Sequence, residues 1–402
     1  MKDNRKRIVI LHHTNAPGGG TKSMYDIVEM LHTDYDVFVC VPKDSETIKK
    51  DLETFSNVTI KEISNRFPIL PRYSGGASLF SSSFICALST LNKKRIKEFV
   101  DEIETIKPDV LIFNTIITIV SANYFSQKIT KICFVRETIV NRISGKYFKS
   151  ILNKSFSGVC FLAEYEKNKM GLKEGLSIVI PDSVKCSDPK EIIHNESPNN
   201  VTNILFMGGD SIIKGLDIIL KAIIRLDKSK YKLTIAGEFN ESKYSVINIV
   251  RHFYSIRYVL FHARVRYYYE KAKRKSNLVF SGFVKDTAPL FNDTDIVVFP
   301  STFVHQPRPC IEAGMFGKPV IISDYPETAE FFIDGYNALT MKPRSSKDLT
   351  KKIKKLAEDK QLSAELGKNN RLMSLQFHDY NKTKEQLFIF LKNKIKENIN
   401  EV

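Results

Sequence analysis

The stretch NILFMGGDSIIKGLD, residues 203–217, contains the pattern that predicts the fold. An apolar strand runs into Gly208 and Gly209, and Lys214 stands where a helix begins. Glycine allows a sharp turn and a close approach of the backbone to a ligand, and a helix N-terminus attracts anions. The stretch therefore predicts a strand–turn–helix unit in which the Lys214 ammonium binds a diphosphate; the alternative is a solvated surface lysine.

The same alternation of apolar strands with helices extends through both halves of the chain. In the first half the predicted strands cover 7–11, 35–41, 58–63, 109–113, 131–135, 158–162 and 177–180. In the second half they cover 203–207, 231–237, 277–280, 295–301 and 320–323. Because strand–helix–strand units build parallel sheets, we predict an α/β protein with two Rossmann-like, doubly wound domains. Ligands of such domains bind beyond the carboxyl ends of the strands.

A polar run rich in turn-forming residues separates the two series. We interpret residues 186–202 as an interdomain linker. The first domain is then 1–185 and the second 203–375, and residues 376–402 contain a carboxy-terminal helix that can cross back to the first domain.

Composition narrows the classes of protein that fit. None of the six cysteines lies in a CxxC pair or at zinc-like spacing, which favours a reducing compartment and argues against a disulfide-stabilised fold. We see no signal peptide and no membrane span, so we expect a cytoplasmic or peripheral protein. The net charge of +16 fits nucleic acid, an anionic membrane, a phosphorylated substrate, or simply a lysine-rich solvated surface.

Two more loops that follow strands carry groups suited to a nucleotide. Gly18, Gly19 and Gly20 lie between the first strand and the first helix, where they form either a phosphate site or a tight turn. A third loop, after the strand ending at Ser301, leads into a short helix that carries Glu312. A carboxylate there can accept hydrogen bonds from two ribose hydroxyls; the alternative is an acid that complements the helix dipole.

In their order and spacing, these segments resemble the donor half of the family-four retaining glycosyltransferases with the GT-B fold (glycosyl transferases group 1). The matching segments are 206–209 with Lys214-Gly215, 233–237, 279–283, 299–301, 311–313, 317–320, and Glu330 with Asp334-Gly335. A looser resemblance in the first half includes the Gly18–Gly20 loop, 107–110 and 134–137. The resemblance implies two domains that face each other across a cleft, with the acceptor on the first domain and the nucleotide-sugar on the second.

The resemblance also implies roles for individual residues. Lys214 contacts the donor diphosphate, Glu312 binds the ribose, and backbone groups of 279–283 hold the base. Arg136 and Glu137 line the cleft, or else form a salt-bridged pair at a strand end. The catalytic candidates are Lys214, Arg308, Glu137 and Arg136. The donor-binding candidates are Gly18, Gly19, Gly20, Gly208, Gly209, Lys214, Val279, Phe280, Gly282, Phe283, Ser301, His305, Gln306, Pro307, Cys310, Ile311 and Glu312.

The sequence departs from the family pattern at two positions. Val304 stands where the family has the first Glu of Glu-x7-Glu, and His305 or Gln306 are candidates to replace it. Gly209 stands where the family has a phosphate-binding arginine, and Arg308 or Arg136 are candidates to supply that charge.

We predict no bound metal and no bound cofactor. Asp293-Thr294-Asp295 spells a DxD sequence, but it precedes a buried strand and is better explained as a turn. His12-His13 lacks further ligands at metal spacing, so we expect buried or cleft histidines. No G-x-S-x-G elbow of a serine hydrolase is present, and no GxGxxG of a nicotinamide dehydrogenase.

The segment 239–276 is longer than the family needs and strongly basic. Nine basic residues face two acids, with aromatic residues interleaved. An anionic membrane surface is the interpretation we favour; a packed helix with a solvated basic edge and an RNA surface are the alternatives. The uncharged stretch 73–92 is a candidate acceptor-side or membrane-facing loop.

The predicted function is transfer of a sugar, with retention, from a nucleotide-sugar to a growing, lipid-linked cell-surface glycan. The donor is expected to be a UDP-sugar first and a GDP-sugar second, and the enzyme a hexosyl- or N-acetylhexosaminyl-type transferase. We expect a peripheral protein on the inner face of the cytoplasmic membrane. The alternatives are a non-catalytic sugar-nucleotide or glycan-binding subunit, a GT-B sugar-nucleotide epimerase, and a nucleic-acid-binding protein. The sequence contains no indication of the oligomeric state.

Overall fold

Two parallel β-sheets organise the chain in the computed structural model. It describes residues 5–15, 18–70, 82–139, 142–185, 201–245, 247, 256–304 and 306–401. Residues Met1–Ser183 and Asn381–Val402 form one compact unit, and Val184–Tyr380 form the other. The two Rossmann-like, parallel-sheet domains predicted from the sequence are confirmed.

The first unit contains a seven-stranded sheet with the order β3-β2-β1-β4-β5-β6-β7. Its strands are β1 Arg7–Leu11, β2 Asp36–Pro42, β3 Val58–Ile63, β4 Val110–Phe113, β5 Thr130–Val135, β6 Gly158–Phe161 and β7 Ser177–Val179. Its helices are α1 Gly19–Leu31, α2 Glu46–Leu52, α3 Ser82–Thr90, α4 Lys93–Glu104, a 3-10 helix Ile116–Tyr124, α5 Arg142–Ser155, α6 Glu164–Met170 and, from the end of the chain, α13 Tyr380–Glu401.

The strands of this sheet are apolar on both faces because helices cover both faces. In β1, Ile8 pairs with Val37 on one side and with Val110 on the other, and Ile8 to Leu11 are fully buried. The order of the strands reverses between β1 and β4. A parallel sheet has its ligand crevice at such a switch point, so this edge is where a site is expected.

The carboxy-terminal helix α13 packs on the first unit. The Lys394 ammonium donates to the Gly175 carbonyl at 2.8 Å, and the Asn398 amide donates to the Lys128 carbonyl at 3.0 Å. The Phe390 ring lies so close to Gly158 that a Cβ there would be 2.6 Å from a ring carbon.

The second unit contains a six-stranded sheet with the order β10-β9-β8-β11-β12-β13, which reverses between β8 and β11. Its strands are β8 Thr202–Phe206, β9 Tyr231–Ala236, β10 Asn277–Gly282, β11 Ile296–Phe299, β12 Val320–Ser323 and β13 Leu339–Met341. Its helices are α7 Leu216–Ile223, a 3-10 helix Glu241–Tyr244, α8 Ile256–Lys275, α9 Ala288–Asn292, α10 Arg308–Met315, α11 Ser346–Glu358 and α12 Lys360–Phe377.

Helix α8 occupies most of the predicted basic insertion and packs on α7. Val265, Tyr269 and Ala272 are buried in the core, and the Tyr269 ring meets Phe239 and Phe280 at centroid distances of 5.1 and 5.7 Å. Residues 246 and 248–255 of the insertion lie outside the described residues.

Two expectations for connecting segments have different outcomes. The stretch 73–92, predicted as a loop, is outside the described residues up to 81, and the loop prediction is wrong for Ser82–Thr90, which form α3. Phe84, Ile85, Ala87 and Leu88 have the spacing of an amphipathic helix. The predicted linker is outside the described residues from 186 to 200.

The turn after β8 is held against the end of β11 by close backbone contacts. Gly215 has a φ of 92°, and a Cβ on it would lie 2.0 Å from the Pro300 carbonyl oxygen. The Thr302 amide donates to the Ile213 carbonyl at 2.8 Å. These contacts fix the position of Lys214 relative to the loop that follows β11.

Gly215→Ala is predicted to destabilise the chain by at least about 2 kcal/mol more than Gly335→Ala. Both positions have positive φ, which costs an L-residue roughly 1–2 kcal/mol, but a Cβ at Gly335 meets nothing within 4 Å. Urea unfolding followed by circular dichroism measures the difference. Equal losses for the two variants would show that the Pro300 contact places no constraint on the turn.

Candidate functional site

In the second unit, the switch point between β8 and β11 brings the predicted glycine turn and lysine together. The Gly209 amide donates to the Ala236 carbonyl at 2.9 Å, and the φ of Gly209 is 52°. A Cβ on Gly209 would lie 2.4 Å from the Glu238 carbonyl oxygen. With this backbone, a side chain at position 209 would clash with residue 238.

Lys214 lies half-buried next to this turn, within electrostatic reach of Glu312. Burial lowers the pKa of the Lys214 ammonium, and the negative charge of Glu312 opposes that shift. The two groups are thus close enough to interact electrostatically, and their common role in donor binding stays a prediction.

Arg308 and Glu312 form a buried ion pair on α10. Arg308 begins the helix and Glu312 follows one turn later, so their side chains lie on the same face. The Arg308 Nε is 3.1 Å from the Glu312 Oε1, and the two residues are only 7 % and 4 % exposed. Glu312, predicted as the ribose ligand, is thus held by Arg308, predicted as a phosphate ligand.

The loop between β11 and α10 is anchored through Ser301. Ser301 is buried, and its carbonyl accepts hydrogen bonds from the Ser323 hydroxyl at 2.8 Å and the Tyr325 hydroxyl at 3.3 Å. The Pro307 carbonyl accepts from the Cys310 amide at 2.8 Å and begins α10. Gln306 is partly exposed on this loop, and His305 lies outside the described residues.

Cys310 and Ile311 have buried side chains in the interior of the unit. Burial raises the pKa of the Cys310 thiol far above its ordinary value, which keeps it protonated. Their carbonyls accept hydrogen bonds from the side chains of Asn370 and Ser374 at 3.3 and 3.1 Å. The side chains of these two residues, which the sequence predicted to bind the nucleotide-sugar donor, therefore face the core.

The predicted base-binding segment lies at the end of β10. Gly282 has a φ of 67°, and its carbonyl accepts a 2.7 Å hydrogen bond from the Gly237 amide. Val279 and Phe283 are exposed, while the partly buried Phe280 ring packs against Phe239 in a tilted arrangement at a centroid distance of 4.5 Å. Val279 and Phe283 present the accessible apolar surface of this segment.

In the first unit, Gly18, Gly19 and Gly20 lie at the N-terminus of α1, close to the switch point between β1 and β4. A Cβ on any of the three would meet nothing within 4 Å. The first turn of α1 contains no acidic residue and no side-chain cap. Its amide groups are therefore placed to attract an anion.

Asn114, directly after β4, is the centre of a buried polar network. Its Nδ2 donates to the Gly20 carbonyl and to His12 Nδ1, each at 3.1 Å, and its Oδ1 accepts from Arg136 Nε at 3.2 Å. Because His12 Nδ1 accepts, the proton is on Nε2, which donates to the Thr21 hydroxyl at 3.2 Å. Burial is the main reason why the pKa of His12 falls to about 3, so the ring is neutral.

His13, the neighbouring predicted cleft histidine, is partly buried beside this network. Burial lowers its pKa to about 4. Within the described residues its Nδ1 has no hydrogen-bond partner. Both histidines are therefore neutral in the folded protein at neutral pH.

Arg136 and Glu137 have separate partners. The Arg136 guanidinium is 2.6 Å from Asp182, which also accepts from the Ser23 hydroxyl at 2.8 Å. The Glu137 carboxylate accepts from the Thr115 hydroxyl and from the Ile116 amide, so it caps the 3-10 helix. Burial raises the pKa of Glu137, and these two hydrogen bonds oppose the shift.

Sequence reasoning missed Asn114 and Asp182 and their connection to His12 and Ser23. The signal in the sequence is that Asn114 is a polar residue directly after an apolar strand, as His12 is. The connection itself spans 102 positions between Asn114 and His12, and 159 between Ser23 and Asp182. No local pattern predicts pairs so distant.

The DxD sequence contributes a hydrogen bond that links two strands of the sheet. The Asp295 carboxylate accepts a 2.7 Å hydrogen bond from the Asn203 amide and so joins the starts of β11 and β8. Among the described residues, no three His, Cys, Asp or Glu side chains are grouped in a way that can hold a metal ion.

Comparison with known proteins finds one family model and several curated proteins to which this chain is similar. Residues 188–373 match the family model described as glycosyl transferases group 1. An uncharacterized glycosyltransferase of Methanocaldococcus jannaschii is 28 % identical over 242 residues, which cover 59 % of this chain and 60 % of that protein. The N,N'-diacetylbacillosaminyl-diphospho-undecaprenol alpha-1,3-N-acetylgalactosaminyltransferase of Campylobacter jejuni is 26 % identical over 208 residues, 45 % of this chain and 55 % of the relative. The chain thus spans little more than half the length of these curated relatives.

Solved structures match over almost the whole chain. Anabaena HepE in complex with UDP and glucose has a TM-score of 0.72 and 18 % identity, covering 97 % of this chain and 100 % of that one. Sucrose-phosphate synthase from Thermosynechococcus elongatus has a TM-score of 0.72 and 14 % identity, covering 97 % and 99 %. The fold is that of the GT-B glycosyltransferases. The family match covers residues 188–373, so the second unit is similar to the glycosyl transferases group 1.

Stability is predicted to fall as the pH drops from about 6.5 towards 4, in part because of His12. The unfolded chain takes up a proton near pH 6.5, whereas the folded chain excludes it until about pH 3, so the contribution is complete above pH 6.5 and is lost on acidification. Each pKa unit is worth about 1.4 kcal/mol. Urea titrations between pH 7 and 4.5 are expected to show a shallower loss for His12→Gln. Parallel curves for variant and wild type would contradict the assignment.

The Arg308–Glu312 pair is predicted to show strong coupling in a double-mutant cycle. Arg308→Met removes the guanidinium from a buried carboxylate and is expected to cost about 3–5 kcal/mol. The double variant with Glu312→Gln is expected to recover a large part of that loss, because no buried charge remains. Urea unfolding of the two single variants and the double variant gives the coupling energy. Additive losses would show that the pair is not a unit.

Proposed function

We propose that this chain transfers a sugar from a nucleotide-sugar donor to a glycan acceptor. The observation that carries the proposal is the convergence of Lys214, Arg308 and Glu312 at one switch point of the unit that matches the group 1 family. Two cations and one buried carboxylate suit a diphosphate joined to a ribose.

The ion pair on α10 gives the donor a specific way to bind. The ribose hydroxyls donate hydrogen bonds to the Glu312 carboxylate. The Arg308 guanidinium then turns to the diphosphate and binds it together with the Lys214 ammonium. Arg308 then supplies the charge that the conformation of Gly209 excludes. Two positive groups on the leaving diphosphate stabilise the charge that develops as the glycosidic bond breaks. The proposal assigns this task to protein cations and uses no metal.

UDP is the first nucleotide to test, and GDP the second. The structures of Anabaena HepE with UDP and with UDP-glucose support this order through the shared fold. We propose that the base lies against the end of β10, with backbone groups of Gly282 and the exposed Val279 and Phe283 as its surroundings.

We propose that the first unit serves the acceptor side and that transfer proceeds with retention. The groups of this unit that are proposed to take part are the amides of Gly18–Gly20 and the side chains of Arg136 and Glu137. Their fixed positions support this role, since Asp182 holds Arg136 and the cap contacts hold Glu137. Gln306 and His305 are assigned to the sugar in place of the glutamate that Val304 replaces.

The acceptor is proposed to be a growing, lipid-linked cell-surface glycan at the inner face of the cytoplasmic membrane. The name of the Campylobacter jejuni relative, which specifies a diphospho-undecaprenol substrate, supports this class. Among the described helices, none has the length and apolar character needed to cross a bilayer, and we propose a peripheral location.

A thermal-shift series with UDP, GDP, ADP and CMP is predicted to give a selective rise in melting temperature with UDP. A bound ligand stabilises the folded state by mass action. Lys214→Ala is expected to lower the affinity for UDP at least tenfold, because one of the two cations on the diphosphate is lost, with little change in the melting temperature without ligand. Lys230→Ala, an exposed lysine of the same unit, is the matched control and is expected to bind like wild type. If the Lys214→Ala variant binds UDP as tightly as wild type, Lys214 does not bind the diphosphate.

Nucleotide release separates the proposal from its rivals. Release of UDP that requires a glycan acceptor supports the transferase. Turnover of UDP-sugar into an isomer without acceptor would favour the epimerase. Donor binding without release under any acceptor would favour a non-catalytic binding subunit.

A further inference from the structure

Helix α8 has one face that belongs to the core of its unit. Val265, Tyr269 and Ala272 are almost completely buried, and Arg264 forms a 2.9 Å ion pair with the buried Asp217 of α7. These contacts hold the 20-residue helix on the unit.

The opposite face of α8 combines apolar and basic side chains that are exposed or, at Lys271, partly exposed. At 100° per residue, Leu260, Tyr267, Lys271 and Arg274 fall on one stripe, away from Val265 and Tyr269. Leu260 is 65 % exposed and Tyr267 is 57 % exposed. An ordinary solvated face has charges of both signs and few large apolar groups, so this stripe is unusual.

The charge of the helix is almost entirely positive. Ile256–Lys275 contains seven basic residues and one acid. Arg264 and Lys273 have acidic partners in Asp217 and Glu241. Within the described part of the chain, neither Lys271 nor Arg274 lies in an ion pair; the Lys271 ammonium lies 5.4 Å from the centre of the Tyr267 ring.

We infer that the Leu260–Tyr267–Lys271–Arg274 stripe is the surface by which this chain lies on an anionic lipid bilayer. Leucine and tyrosine insert at the level of the headgroups while lysine and arginine bind their phosphates, the combination by which a helix rests in an interface. This inference deepens the membrane location of the proposed function by naming the residues that contact lipid.

A bilayer explains the stripe better than RNA does. Single-stranded RNA is held by open aromatic faces on which bases stack. The exposed ring of Tyr267 carries the Lys271 ammonium over its face, and Leu260 offers nothing to a base. Both arrangements suit an interface in which ring and aliphatic chain enter the headgroup region and the ammonium remains outside.

Vesicle sedimentation of the full chain tests the inference. Wild type is expected to bind vesicles made of equal parts phosphatidylcholine and phosphatidylglycerol, and to ignore pure phosphatidylcholine. Each basic residue near such a surface contributes a factor of roughly five, so Lys271→Glu with Arg274→Glu is expected to weaken binding at least about 20-fold. Leu260→Ser with Tyr267→Ser is expected to weaken it about tenfold at salt that screens charge.

Lys351→Glu with Lys354→Glu is the matched control, since it reverses two exposed lysines of α11 and changes the net charge equally. It is expected to bind vesicles within about twofold of wild type, if lipid contacts are confined to α8.

Equal losses in both charge-reversal variants, or no vesicle binding by wild type, would overturn the inference. A third outcome would assign the stripe to RNA instead of a bilayer. In that outcome the wild type does not bind vesicles but binds single-stranded RNA with a steep salt dependence, and only the α8 charge-reversal variant loses the RNA binding. All variants are expected to keep the UDP thermal shift; failure of that shift with vesicle binding intact would count against the transferase and leave the surface in place.

Discussion

The constraint on which the candidate site depends is that all strands of a parallel sheet end at the same edge. In the second unit this brings the turn after β8 and the loop after β11 together at the switch point. The contact of Gly215 with Pro300 and the hydrogen bond from Thr302 to Ile213 then fix the two segments in register. Lys214 and Glu312, nearly a hundred residues apart in the sequence, share one electrostatic environment as a result.

The same topology explains what could be predicted from the sequence. The apolar strands and their glycine turns predict every strand of the two sheets except β13, a three-residue strand at the edge of the second sheet. The strand ends also indicate which segments carry Lys214 and Glu312. The partners of these residues could not be predicted from the sequence. The Arg308–Glu312 pair depends on which face of α10 turns to the core, and the Asn114 network joins β1, β4 and α1 through contacts that no local pattern encodes. Burial decides both, and burial is a property of the assembled unit.

The basic insertion has features of two interpretations that composition leaves open. A packed helix with a basic edge and a membrane surface were alternatives at the level of sequence. In the folded unit, α8 has a core face around Val265 and Tyr269 and also an outward stripe of apolar and basic groups. The core face accounts for the packing of the helix, and the exposed Leu260 and Tyr267 are the basis of the proposed lipid contact.

The central claim is that Lys214, Arg308 and Glu312 form the binding site of a nucleotide diphosphate. A crystal structure of the chain grown with UDP tests it most directly. The account predicts the diphosphate on the Lys214 ammonium, the ribose hydroxyls on Glu312, and Arg308 moved from its 3.1 Å contact with Glu312 to a phosphate oxygen. UDP bound at another place, or UDP at this edge with the Arg308–Glu312 pair unchanged and the ribose elsewhere, would contradict it.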